Sequence, residues 1–211
     1  MKTKKITEIG FNLKPFNDMV VFDLETTGLS SRMDDIIQIA AIRMIDGNII
    51  EDDSFSSYVK PQRSLSSFIT SYTGITERDV KAAPLPAVVL PQFSSYCGDS
   101  LLVAHNGQRF DIPFIHRTCE RYSISTRAAE SIDSMHLSWK VWGRSKGLSH
   151  GLDGVISRLE ISTAGIRRHD ARGDVLATAR CVQRLVKKIG ELENEVFLNI
   201  NPCALPETIN N

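Results

Sequence analysis

Val20-Val21-Phe22-Asp23-Leu24-Glu25-Thr26-Thr27-Gly28 is an apolar run that ends in two carboxylates and a small polar turn. In a strand, side chains alternate between faces, so Asp23 and Glu25 share one face about one pleat apart. Two acids so placed repel each other, and a cation between them relieves the repulsion. A divalent metal ion held by hard oxygen ligands is the simplest such cation. A centre of this kind needs further carboxylates and a base.

Downstream, Asp35 to Ile45 is apolar and β-branched, and Asp46-Gly47-Asn48 offers a hairpin turn. Ile49 to Val59 reads as a third strand, bulged or broken near Asp52-Asp53-Ser54. The pattern then changes to helix. A short helix is expected over Ser64 to Ser71, and Thr76-Glu77-Arg78-Asp79 carries a capping-box pattern. Pro86 to Cys97 reads as helix, with Pro91 marking a kink or a start. Leu101 to His105 reads as a buried strand, and a helix is expected from Asp111 to Tyr122. Ile132 to Trp142 adds a strand and a helix, and Gly143 to Gly147 reads as a basic loop. Leu152 to Leu159 reads as helical. In the final helix, Ala171 to Ile189, Val175, Ala179, Val182, Val186 and Ile189 form one buried stripe. Strands first, then strands mixed with helices, predict an α/β fold: a mixed sheet with helices on its faces. Residues 1–16 read as an N-terminal extension, 17–189 as the domain, and 190–211 as an irregular tail.

Two more acid sites stand out. His105-Asn106-Gly107-Gln108-Arg109-Phe110-Asp111 puts an aspartate just past a buried strand, where ligands bind in open α/β sheets. His169-Asp170-Ala171-Arg172-Gly173-Asp174 heads the final helix, and Gly173 there suggests close approach of another segment. Taken singly, Asp111 reads as an N-cap, Asp174 as a first-turn acid favoured by the helix dipole, and His169 as a surface histidine.

In order, Asp23, Glu25, Asp111, His169 and Asp174 resemble the DEDDh 3′–5′ exonuclease family, which includes bacterial DNA polymerase III proofreading subunits, ribonuclease T and oligoribonuclease. The resemblance spans about residues 17 to 189. Phe22 to Leu29, His105-Asn106 with Phe110-Asp111, and His169 with Asp174 carry it, and Tyr72-Thr73-Gly74-Ile75-Thr76 resembles a segment of the polymerase-associated members. It implies a ribonuclease H-like fold, with Asp23, Glu25, Asp111 and Asp174 holding two divalent ions, Mg²⁺ with Mn²⁺ able to substitute, and His169 as general base. It also implies contact of Thr26, Thr27, Gly28, His105 and Asn106 with substrate, although His105 reads equally as a core histidine. Single-stranded DNA 3′ ends are the expected substrate, with a DNA polymerase subunit as a possible partner. An RNA-trimming enzyme is the alternative, against which Thr26 argues, because oligoribonucleases usually carry Met there. A non-catalytic binding module is a third reading, and the presence of all five residues speaks against it.

Composition adds boundaries. With 211 residues, 42% of them hydrophobic, the chain can bury one sizeable core. Basic and acidic residues number 25 each, so charge gives no overall signal for nucleic acid. Cys97, Cys119, Cys181 and Cys203 are scattered, as reduced thiols of a cytoplasmic protein would be. Neither an export signal nor a membrane span is expected. Trp139 and Trp142 read as core residues before base-stacking ones. Arg144, Lys146, Arg167, Arg168 and Arg172 read equally as phosphate-steering or solvated loop charge.

Overall fold

The computed structural model describes residues 2–6, 17–145, 147–192 and 196–208. Its elements follow in chain order: β1 (Lys2–Ile6), β2 (Asp18–Thr26), β3 (Ile36–Ile45), β4 (Asn48–Tyr58), α1 (Ser67–Thr73), α2 (Glu77–Lys81), α3 (Pro86–Cys97), β5 (Leu101–Ala104), α4 (Asp111–Arg121), β6 (Thr126–Asp133), α5 (Ser134–Trp142), α6 (Leu152–Leu159), α7 (Ala171–Leu192) and β7 (Val196–Pro206). The strands form one mixed sheet in the order β1-β7-β6-β5-β2-β3-β4. β2, β5 and β6 run parallel at its centre, and β3, β4, β7 and β1 pair antiparallel outward from them.

The apolar alternation of β2 divides the core into two layers. Val20, Phe22 and Leu24 point into one, with Phe93 of α3 and Phe114 and Ile115 of α4. Met19 and Val21 point into the other, with Leu137 of α5, Val155 of α6 and Val175, Val182 and Leu185 of α7. Asp23 and Glu25 continue the second set, so the pleat itself directs them to the side on which α7 lies. The expected α/β architecture, with helices on both faces of the sheet, is what forms.

Local signals act where the sequence places them. Asp46 and Gly47 take positive φ (49° and 76°) in the β3–β4 turn, as a tight hairpin requires. The register of β3 on β4 jumps between Ile42, opposite Ser54, and Arg43, opposite Ile50, which is the expected bulge. Arg43 holds it by donating from Nε to Asp53 at 2.8 Å. Ser66 caps α1, and Thr76 with Asp79 forms the capping box of α2. All four cysteines are free thiols.

The two ends depart from the expectation. Lys2–Ile6 and Val196–Pro206 are strands of the sheet, not an extension and an irregular tail. Pro202 and Pro206 remove backbone donors, and Asn199 and Asn201 have low strand propensity, so local signals argue against β7. Pairing with β6 from Thr126 to Ser131 and burial of Ile200 and Leu205 override them. Residues 1, 7–16, 193–195 and 209–211 of those segments lie outside the described residues. No described helix is long and apolar enough to cross a membrane.

Truncation after Leu192 should therefore uncover one edge of β6 and open the core where Ile200 and Leu205 sit. The expected result is a melting temperature at least about 5 °C lower, or insoluble protein. A truncated chain that melts with the full-length one would show that β7 adds nothing to the fold.

Candidate active site

The strand β2 brings Asp23 and Glu25 to the carboxyl end of the sheet, and α7 brings Asp174 to meet them. One oxygen from each of the three lies within 4.8 Å of the others, a spacing that suits a shared metal ion. Asp111, at the start of α4, approaches along the other layer, and its Oδ1 accepts the Leu24 N–H at 3.1 Å. The strand residue between Asp23 and Glu25 is thus tied by its backbone to a fourth carboxylate.

Gln38 seats α7 against the sheet. It lies opposite Glu25 in the ladder and is buried. Its Oε1 accepts the Ala171 N–H at 3.0 Å and its Nε2 donates to Asp170 Oδ1 at 3.3 Å. Asp170 in turn accepts the Arg172 N–H and the Arg172 guanidinium, in the manner of an N-cap. Gly173 permits the close approach that its place in the sequence suggests. A Cβ there would fall 2.0 Å from the Arg167 carbonyl oxygen.

The chemistry of the cluster follows from crowding. Enclosure by protein, then the charges of Asp111 and Glu25, hold the Asp23 carboxyl well above its ordinary range. Burial, then the Asp170 and Asp111 charges, raise Glu25 to about 7. Burial raises Asp111 to about 7 against the opposing pull of its backbone hydrogen bonds. Acids forced to keep protons near neutrality are poised to exchange them for a metal cation, so this donor set fits a hard divalent ion.

His169 has positive φ (60°), and its N–H donates to Asp174 Oδ2 at 3.2 Å. Its imidazole stacks on Tyr72 with ring centroids 4.1 Å apart, and Tyr72 stacks on Phe68 at 5.8 Å. Phe68 and Tyr72 are 68% and 51% exposed, so the stack forms an aromatic face open to solvent beside the acids. Burial and the neighbouring Arg168 cation lower the His169 pKa.

The remaining candidates separate. In the turn after β2, Thr26 Oγ1 donates to the Gly28 carbonyl at 2.6 Å, while Thr27 Oγ1 accepts the Asp35 N–H at 2.9 Å. Both hydroxyls thus shape the turn, and Gly28 packs on Asp34, whose carboxylate a Cβ would strike. His105 is half-buried, with its Nδ1 2.8 Å from Ser134 Oγ. Asn106 takes positive φ (61°) and its N–H donates to Asp133 at 2.8 Å. Trp142 packs against the core. Trp139 is half-buried between His136 and Arg144, with the Arg144 guanidinium 4.1 Å above its ring. Arg172 pairs with Asp170, and Lys146 lies outside the described residues. Gln38, Tyr72 and Phe68 were not singled out as site residues. Only Tyr72 had a signal, as the first residue of the Tyr72 to Thr76 segment that forms part of the resemblance.

Asp23 and Glu25 at the end of β2 thus meet Asp174 from the first turn of α7, with Asp111 and His169 beside them. A family model described as Exonuclease (RNase_T) matches residues 20–182. The chain belongs to this exonuclease family. Among curated relatives, DNA polymerase III PolC-type of Streptococcus mutans is 38% identical over 172 residues, which cover 82% of this chain and 11% of the relative. The protein of that name from Streptococcus pyogenes serotype M1 is 37% identical over 188 residues, or 88% of this chain and 12% of the relative. The chain thus spans about a tenth of these relatives. Among solved structures, cell-death related nuclease 4 superposes with a TM-score of 0.69 at 25% identity, covering 82% of this chain and 64% of that one. The nuclease domain of 3′hExo, a DEDDh family member, bound to rAMP, has a TM-score of 0.71 at 20% identity, over 88% of this chain and 96% of that one. That likeness concerns the fold alone.

Raised acids carry a pH signature. In the absence of metal, a Glu25 carboxyl raised from 4.5 to about 7 favours the folded state at low pH, and that contribution is lost as pH rises through about 7. Glu25→Gln cannot ionise. In EDTA, its melting temperature should therefore gain on that of wild type between about pH 5 and pH 8. A difference that stays constant across this range would mean that Glu25 titrates as an ordinary surface acid.

Proposed function

We propose that this chain is a metal-dependent 3′–5′ exonuclease that releases 5′-nucleoside monophosphates from single-stranded DNA ends in the service of DNA polymerase III. The convergence of Asp23, Glu25 and Asp174 within 4.8 Å, at acids raised by crowding, carries the reading. The PolC-type relatives favour DNA over RNA and a replicative polymerase as partner.

Asp23, Glu25, Asp174 and Asp111 would hold two Mg²⁺ ions, with Mn²⁺ able to replace them. Bound there, the ions supply Lewis-acid polarisation of the phosphodiester and lower the pKa of the attacking water. His169 accepts the proton from that water. Its lowered pKa keeps the imidazole neutral near pH 7, the state a base requires. Tyr72 holds the ring by its face and leaves the ring nitrogens at the edge free to turn toward the acids. The Phe68–Tyr72 face would receive an unpaired base by stacking, which suits a frayed or single-stranded end better than a duplex. The Thr26–Gly28 turn meets the terminal nucleotide through its backbone, since both threonine hydroxyls are engaged within the turn.

Asp23→Asn should abolish nucleotide release in Mg²⁺ and in Mn²⁺ with its circular dichroism unchanged, and near-normal release by the folded variant would remove Asp23 from the reaction. At saturating metal, His169→Ala should lower the single-turnover rate by roughly 10²–10⁴-fold. A stable variant within a few-fold of wild type would leave the proton transfer to another group. On 5′-labelled oligonucleotides, a descending ladder that is faster on DNA than on RNA is expected. Early release of the labelled 5′ nucleotide would reverse the polarity, and a faster RNA ladder would reassign the substrate.

A further inference from the structure

Arg168 stands between the acid cluster and the surface. From the loop before α7 its Nε and Nη2 donate to Asp153 Oδ1 on α6, at 3.0 and 2.7 Å, while Nη1 contacts Asp174 Oδ1. Asp153 is 75% exposed and Asp174 10% exposed, so one arm of the guanidinium is anchored in solvent and the other reaches inward. Asp174 is therefore already paired with the Arg168 guanidinium through Oδ1, and its Oδ2 accepts the His169 N–H. A metal ion that takes Asp174 brings a second cation to a carboxylate that already holds one, and the two repel. The N–H is fixed in the backbone, whereas the guanidinium is permanently charged, sits at the end of a flexible stem and has a second carboxylate already in hand.

We propose that Arg168 is a tethered counter-cation of the carboxylate cluster: it neutralises Asp174 in the metal-free protein, yields to divalent metal by withdrawing onto Asp153, and so sets metal affinity. The proposal rests on the metal-centre reading above. It makes metal loading an exchange of one cation for another, in which four crowded acids are never left wholly uncompensated. A lysine would not serve as well, because a single ammonium cannot hold Asp153 and Asp174 through separate nitrogens.

Mn²⁺ binding, followed by electron paramagnetic resonance on wild type, Arg168→Gln, Asp153→Asn and the double variant, tests this without recourse to activity. Removing the competing cation should tighten Mn²⁺ about tenfold in Arg168→Gln, while the metal-free melting temperature falls. Removing the tether should weaken Mn²⁺ severalfold in Asp153→Asn, and this effect should vanish in the Arg168→Gln background, the mark of coupling through Arg168. Equal or weaker Mn²⁺ binding by Arg168→Gln would overturn the proposal even where that variant is less stable, since a merely structural arginine would give that result. An Asp153→Asn effect of the same size in both backgrounds would overturn the tether. A folded wild type that binds no Mn²⁺ would overturn the metal centre and this proposal together.

Discussion

Mutual repulsion of carboxylates is the constraint on which the site depends. Asp23, Glu25 and Asp174 present oxygens within 4.8 Å of one another, with Asp111 close enough to raise Asp23 further. In water such a group would spread apart. Here each acid is fixed to an element that cannot move independently: the central strand, the first turn of α4 and the first turn of α7. The sheet supplies the rigidity, and the unfavourable charge density that results is what gives the site its appetite for a divalent cation.

The same constraint accounts for groups that touch no acid of the cluster directly. Gln38 sits opposite Glu25 and grips the head of α7 through Ala171 and Asp170, so one buried amide links the strand facing Glu25 to the helix that carries Asp174. Gly173 lets the chain before α7 fold back over the helix, which brings Arg168 and His169 to the acids. A register shift between Glu25 and Thr26 ends the regular ladder just past the second acid and turns the chain into the Thr26–Gly28 bend. Rigid placement of charge and a turn shaped by its own hydroxyls are what positional catalysis on a phosphodiester requires.

What could be read from the sequence was whatever is written in local period. Alternation along β2 put Asp23 and Glu25 on one face, the Asp46–Gly47 turn marked the hairpin, and the stripe of α7 marked the last helix. The order of five polar residues then identified the family. What was not legible depends on partners distant in the chain. β7 contains Pro202 and Pro206 and becomes a strand because β6 accepts it. Gln38 is one polar residue in an apolar run until α7, more than 130 residues later, arrives beside it. The Tyr72 contact with His169 and the two-armed grip of Arg168 join the loop before α7 to helices that no spacing rule connects to it. His105 read two ways, and the half-buried ring pairs with Ser134 of α5, a partner nearly thirty residues on that the sequence does not reveal.

The central claim is that the crowded acids at the end of β2 are a divalent-metal centre. A crystal of the protein soaked in Mn²⁺ with a nucleoside 5′-monophosphate, measured for anomalous scattering, tests it most directly. The expected result is anomalous density at these acids, with Asp23, Glu25, Asp174 and Asp111 as the residues that would hold the metal. A map in which Mn²⁺ is absent from these acids, or settles on another part of the surface while Asp23 and Glu25 remain unliganded, would contradict the account.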